Sequence, residues 1–174
     1  MEAEKIYEEK IFSKGITIIL AFITFVFLFL LYYQIFVKPI GNKPAPDLFY
    51  LIMFLIFLGI ALNFSKLTIT ITQNFILVRY GILKKKIPFE DVENCNLDER
   101  SNIRYGGFGI RIARVRGKWV LVYNLLKCSR VVLKLRKGRF GEFVFSTKNA
   151  DEVMMIIRQQ IDNIKPHEND TILS

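Results

Sequence analysis

The stretch "RYGGFGIRIARVRGKW", residues 104 to 119, is basic, rich in glycine and free of acidic residues. Three chemistries suit that composition: a phosphate-cradling loop, a nucleic-acid groove, or a β surface that leans on something negative. A phosphate loop needs a strand before it and a helix after it, so that backbone amides and the helix dipole meet the anion. Here Gly106-Gly107-Phe108-Gly109 leads into the strand-like "IRIARVRGKWVLV", and Ile112 stands where a third glycine would be. No Gly-Lys-Ser or Gly-Lys-Thr occurs. The glycines read instead as a bulge or a corner where a strand passes between sheets.

Residues 100 to 139 hold twelve Lys or Arg and no Asp or Glu. A face of that kind attracts any polyanion, but no nucleic-acid reader motif accompanies it, and nucleic acid is not expected. The acidic cluster Glu90, Asp91, Glu93, Asp98 and Glu99 supplies paired carboxylates for acid–base work; its context reads as a solvated loop face. The single histidine, His167, lies in the polar tail, and no nucleophile elbow is present. Cys95 and Cys128 stand too far apart in sequence for a zinc pattern. The sequence therefore predicts a chain that is not an enzyme, with no metal and no cofactor.

The elements that position these residues begin in the lipid. Hydrophobic residues make up 52% of the 174-residue chain, high for a soluble protein and the first sign of membrane segments. "ITIILAFITFVFLFLLYYQIFV", residues 16 to 37, carries no charge and spans ~33 Å as a helix, against a hydrocarbon core of about 30 Å. "LFYLIMFLIFLGIALNF", residues 48 to 64, is shorter and should stand nearly upright. The first run continues without a small-x-small cleavage site, so it reads as a retained span rather than a leader. The proline-rich "KPIGNKPAPD", residues 38 to 47, turns the chain between two antiparallel helices.

Lys5, Lys10 and Lys14 precede the first span, only Lys38 and Lys43 lie in the turn, and Lys66, Arg79 and Lys84 to Lys86 follow the second. The positive-inside bias puts both termini of a multi-pass cell-membrane protein in the cytoplasm, where both cysteines stay reduced.

After Lys66 the period changes to two. "LTITIT", "FILVRYG" and "ILKKKIPF" read as strands, followed by candidates near 105–114, 118–123, 130–136 and 140–145, the last two joined by Lys137-Gly138-Arg139. "STKNADEVMMIIRQQI" closes the series with a helix whose Asn149 and Glu152 resemble a capping box. The division expected is a cytoplasmic segment 1–15, a hairpin 16–64, a domain 66–164 and a polar tail 165–174. The order "FILVRYGILKKKIPFEDVENC", "YGGFGIR", a Gly-Lys-Trp hairpin and "FSTKNADEV" resembles the prokaryotic PH-like membrane proteins. That resemblance implies an α+β membrane protein: a transmembrane helical hairpin, then a seven-stranded antiparallel PH-like barrel or sandwich capped by a C-terminal helix. It implies a fold more than a function, since such barrels host lipid, peptide and protein binding alike.

With almost no linker after residue 64, the domain is expected to lie against the membrane. A simple up-and-down meander would then gather Lys84, Lys85, Lys86, Arg114, Arg116, Lys118, Arg136, Lys137 and Arg139 at the membrane-proximal tips, with Asp98 and Glu99 pointing away. Such a face would dock on anionic headgroups. The rival reading is an interaction or assembly subunit that binds a protein partner or itself, with Arg104, Tyr105 and Arg111 at a groove. Trp119, Leu121 and Tyr123 share strand parity and are expected in the core.

Overall fold

The structure is a computed structural model that describes residues 4–39, 41, 44–100, 105, 107–115 and 117–164. Two predominantly apolar helices come early: α1 (Lys14–Phe36) and α2 (Asp47–Phe64). Both are long and apolar enough to cross a membrane. Neither shows the amphipathic stripe of a helix laid on a soluble core, and Ile18, Phe22, Phe25, Leu55 and Leu62 stand exposed. The helices meet through Phe27 and Phe57, stacked at 5.3 Å. At the turn, Gln34 Nε2 donates to Ala45 O at 2.7 Å and to Asp47 Oδ1.

The remainder is α+β. One sheet has the order β1-β2-β3-β4, formed by β1 (Lys5–Phe12), β2 (Lys66–Thr72), β3 (Phe75–Tyr80) and β4 (Leu83–Pro88). The other has the order β5-β8-β9-β7-β6, formed by β5 (Val92–Leu97), β6 (Gly109–Val115), β7 (Lys118–Asn124), β8 (Ser129–Leu135) and β9 (Glu142–Thr147). Both sheets have two edge strands, so neither closes. A short 3-10 turn, Phe89–Asp91, joins them, and α3 (Ala150–Ile164) ends the described chain.

Three expectations change. The strands number nine among the described residues, not seven, because β1 and β5 were not anticipated. The second sheet is not a meander: β7 and β9 pair in parallel, Val120 opposite Glu142 through Tyr123 opposite Phe145. The sheets are therefore not wholly antiparallel. The segment before α1, set apart in the sequence reading, supplies an edge strand of the first sheet.

Local chemistry accounts for each element. In β2, Leu67, Ile69 and Ile71 are wholly buried on one side, and Thr68, Thr70 and Thr72 are buried on the other, as befits a central, β-branched strand. β1 is tied down by Glu9, whose carboxylate accepts from Thr147 Oγ1 at 2.6 Å and from the Lys148 amide at 3.0 Å. In the second sheet Val131, Leu133, Phe143 and Phe145 are fully buried on one face, and Val120, Val122 and Val144, with the almost fully buried Val132, on the other. Each such side chain contributes about 1.5–3 kcal/mol. In α3, Ala150, Val153, Ile157 and Ile161 form the buried stripe. Asn149 Nδ2 donates to Glu152 Oε2 at 3.3 Å ahead of its first turn.

By compactness the chain divides in two. One unit holds the described residues up to Ile11, Thr68–Arg79 and the chain from Lys84 onward; the other holds Phe12–Leu67 with Tyr80–Leu83.

Candidate functional site: the basic end of the second sheet

The strand order of the second sheet decides which basic residues meet. β6 and β7 form a hairpin with Val115 opposite Lys118, and β8 and β9 form another with Lys134 opposite Glu142. The parallel β7·β9 pairing puts the tips of both hairpins at one end of the sheet. Gly141 fastens them: its amide donates to Trp119 O at 2.9 Å, and its carbonyl accepts from the Leu135 amide at 3.0 Å. A Cβ at Gly141 would come within 3.1 Å of the Lys118 side chain, so the aliphatic part of that lysine packs on the glycine.

Five of the anticipated cations, Arg114, Lys118, Arg136, Lys137 and Arg139, thus gather at this end with exposed side chains. Arg114 and Trp119 are cross-strand partners, and the guanidinium lies 5.8 Å from the indole centroid. Arg139 stands 5.8 Å from the Phe140 ring. Exposed contacts of this kind give about 0.5–1 kcal/mol and keep the cations near the aromatic faces. Trp119, expected in the core, is 45% exposed. It shares parity with buried Leu121 and Tyr123, but it stands near the open end of β7, where the covering of that face has run out.

Lys84, Lys85 and Lys86 are elsewhere, on β4, an edge strand of the first sheet. Lys86 Nζ lies 3.9 Å from the Phe75 ring centroid. Arg104 and Arg116 lie outside the described residues. Arg111 is exposed on edge strand β6, its Nε donating to Phe108 O at 3.2 Å. Tyr105, assigned to a groove, is 2% exposed and packs with Val115, Val120, Val122, Val132 and Val144. A side chain so placed offers a partner no surface.

β5 adds a strand ahead of both hairpins and pairs with β8. The basic tips adjoin the 3-10 turn, where the Arg136 amide donates to Asp91 O at 2.8 Å, and the Phe89 amide donates to Asn74 O at 3.1 Å. They therefore group with Asn74, just after β2, and with the acidic turn of Glu90 and Asp91.

A second cluster, missed from sequence, is polar and buried. Asp98 Oδ2 accepts from Arg130 Nε at 3.0 Å, and Asp98 Oδ1 from the Tyr105 hydroxyl at 3.1 Å. Arg100 Nη1 donates to Glu142 Oε2 at 2.6 Å and to the Tyr105 oxygen at 3.0 Å. Arg130 Nη2 donates to Arg100 O, and its guanidinium lies 5.4 Å from the Tyr105 ring. Burial, then the Asp98 carboxylate, push the Tyr105 phenol up to about 12. Glu142 above all holds Arg100 charged beyond the usual guanidinium range. Two acids and two bases satisfy one another, which fastens the residues around Asp98 and Tyr105 to the valine face. The only sequence signal was an aspartate and an arginine at strand ends, with nothing to pair them.

Burial pushes the Cys95 thiol up to about 12, with Arg158 opposing, so it is no nucleophile at neutral pH. Among the described residues no group of three His, Cys, Asp or Glu could hold a metal. No protein-family model, curated protein or solved structure matches the chain.

Proposed function

We propose that this chain is a non-enzymatic binding module, anchored in the cell membrane by α1 and α2, whose β domain is PH-like in outline and whose ligand is anionic. A four-stranded sheet, a second sheet and a closing helix support the PH-like outline. The pairing of β1 with β2 supports a hairpin with both flanks on one side of the bilayer, and the lysines of those flanks favour the cytoplasm. One observation carries the ligand class: two hairpins bring five exposed cations and an exposed tryptophan to one end of a sheet. Such a surface suits the acidic headgroups of the inner leaflet, at about 1 kcal/mol per engaged cation.

A second reading has its own support. The cations group with the Asn74 end of β2, the end farther along the chain from α2, which suits an acidic protein partner in a membrane complex. Hydrogen exchange of the full chain in nanodiscs, neutral against acidic, separates the two. Lipid docking protects the amides of residues 136–141 in acidic discs alone and loses that protection in high salt. Equal exchange in both discs would reject lipid docking and leave the protein partner. The full chain is needed, because a fragment from residue 66 lacks β1 and bares the flank of β2.

A further inference from the structure

The β3–β4 turn, Tyr80–Leu83, belongs to the same compact unit as the two long apolar helices. Ile82 in this turn is 86% exposed, more than any other large hydrophobic residue described. Single exposed apolar residues are common and mean little by themselves. This one is held in place. Asn63, in the last turn of α2, accepts a hydrogen bond from the Ile82 amide through its Oδ1 at 2.9 Å. Gly81, at φ +49°, makes that approach possible: a Cβ there would lie 2.9 Å from the Asn63 carbonyl oxygen and closer still to its side chain.

We propose that this turn is a second membrane contact, in which Ile82 inserts into lipid at the border between hydrocarbon and headgroups, beside the end of α2. The inference rests on the reading of α1 and α2 as membrane spans and is independent of the basic tips. The 18 residues of α2 rise ~27 Å, against about 30 Å of hydrocarbon. Both ends of this helix therefore lie at the border of the apolar layer rather than beyond it.

A turn bonded to Asn63 shares that depth. Leu62 on α2 is 68% exposed and Leu83 44% exposed, so Ile82 extends an apolar surface that the helix already presents. Polar neighbours mark the same level. The Ser13 amide donates to Ser65 O at 2.9 Å, and Lys66 Nζ stands 6.0 Å from the exposed Phe12 ring. Lys84, directly after the turn, is exposed and long enough to reach phosphates from there. An apolar tip followed by an exposed lysine at the end of a membrane-length helix fits lipid, whose own layers change from apolar to anionic over the same distance.

Depth can be read from a nitroxide on Ile82→Cys in the full chain carrying Cys128→Ser, since Cys95 is buried. The chain is reconstituted in vesicles of phosphatidylcholine, with and without phosphatidylglycerol. Collisions with oxygen report lipid, and collisions with a water-soluble nickel chelate report solvent. The label at 82 is expected to favour oxygen in both vesicles, as a label on Leu55→Cys should, while one on Gln73→Cys, read in the neutral vesicles where the basic tips have no acidic headgroup to meet, favours nickel. Leu83→Cys serves as a second reporter should the first variant fold poorly. If position 82 reads like 73 while 55 reads as lipid, the insertion is overturned and the anchor stands. If 55 also favours nickel, both fall. Because insertion is apolar, its persistence in neutral vesicles separates it from headgroup docking by the cations.

Discussion

Two groups of basic side chains come from one run of sequence and end in opposite environments. Arg130, with Asp98 and Tyr105, is buried against the valine face, and the partly buried Arg100 closes the group through Glu142. Arg114, Lys118, Arg136, Lys137 and Arg139 stand in solvent at the hairpin tips. The difference teaches that a basic stretch is not one functional unit. The cations buried against carboxylates are structural, and those exposed at an open end of the sheet are the ones an outside anion can reach.

The sharpest way to break that distinction is Asp98→Ala. It leaves the Arg130 guanidinium buried without its carboxylate and is expected to cost about 3–5 kcal/mol, read by denaturant unfolding in detergent. Replacing the pair together, Asp98→Leu with Arg130→Met, should recover much of that loss, since apolar substitutes of similar volume are tolerated where a lone charge is not. A single variant as stable as the parent would show the cluster to be ornamental.

Tyr105→Phe keeps the ring and removes a hydroxyl that donates to Asp98 and accepts from Arg100. A loss of about 1–3 kcal/mol is expected. The same variant alters the alkaline limb of stability. The phenol is raised in the folded state from about 10 to about 12, so its contribution is complete below pH 10 and disappears as the pH rises through 12. Tyr105→Phe should flatten the fall in stability across that window. Cys95, raised to about 12 by burial, still contributes to whatever slope remains. An unchanged slope would place the titration elsewhere.

The smallest effect belongs to the tips. Arg114→Gln, Lys118→Gln, Arg136→Gln, Lys137→Gln and Arg139→Gln should each shift stability by no more than about 0.5 kcal/mol. Together they should abolish the protection of residues 136–141 in acidic nanodiscs. If any one of them destabilises like Asp98→Ala, the division into buried and exposed cations fails at that residue.

The parts legible in sequence were those governed by one strong local signal. Long uncharged runs announced α1 and α2, and the spacing of Val153, Ile157 and Ile161 announced α3. β1 was missed because "KIYEEKIF" places two glutamates and two lysines among its apolar residues and stands just before a membrane helix. β5 was missed because its register shifts between Val92 and Asn94, which breaks the alternation of "VENCNL". Of the nine cations expected together, Arg114, Lys118, Arg136, Lys137 and Arg139 share one end of the second sheet while Lys84 to Lys86 lie on the first, and the parallel β7·β9 pair that joins the two tips is a long-range contact with no local signature. Trp119 misled for a related reason: parity tells which face a side chain takes, not how far along the strand that face stays covered.

The neighbours β1 and β2 are separated in the chain by both long helices. During synthesis β1 is made first and has no partner until α2 has been completed and the chain beyond Ser65 has emerged. Should only one helix cross the bilayer, the two strands would be stranded in different compartments and the four-stranded sheet would never assemble. On the proposed hairpin topology, the pairing of residues 5–12 with residues 66–72 can form only once both helices have crossed, so a finished first sheet would report completed insertion.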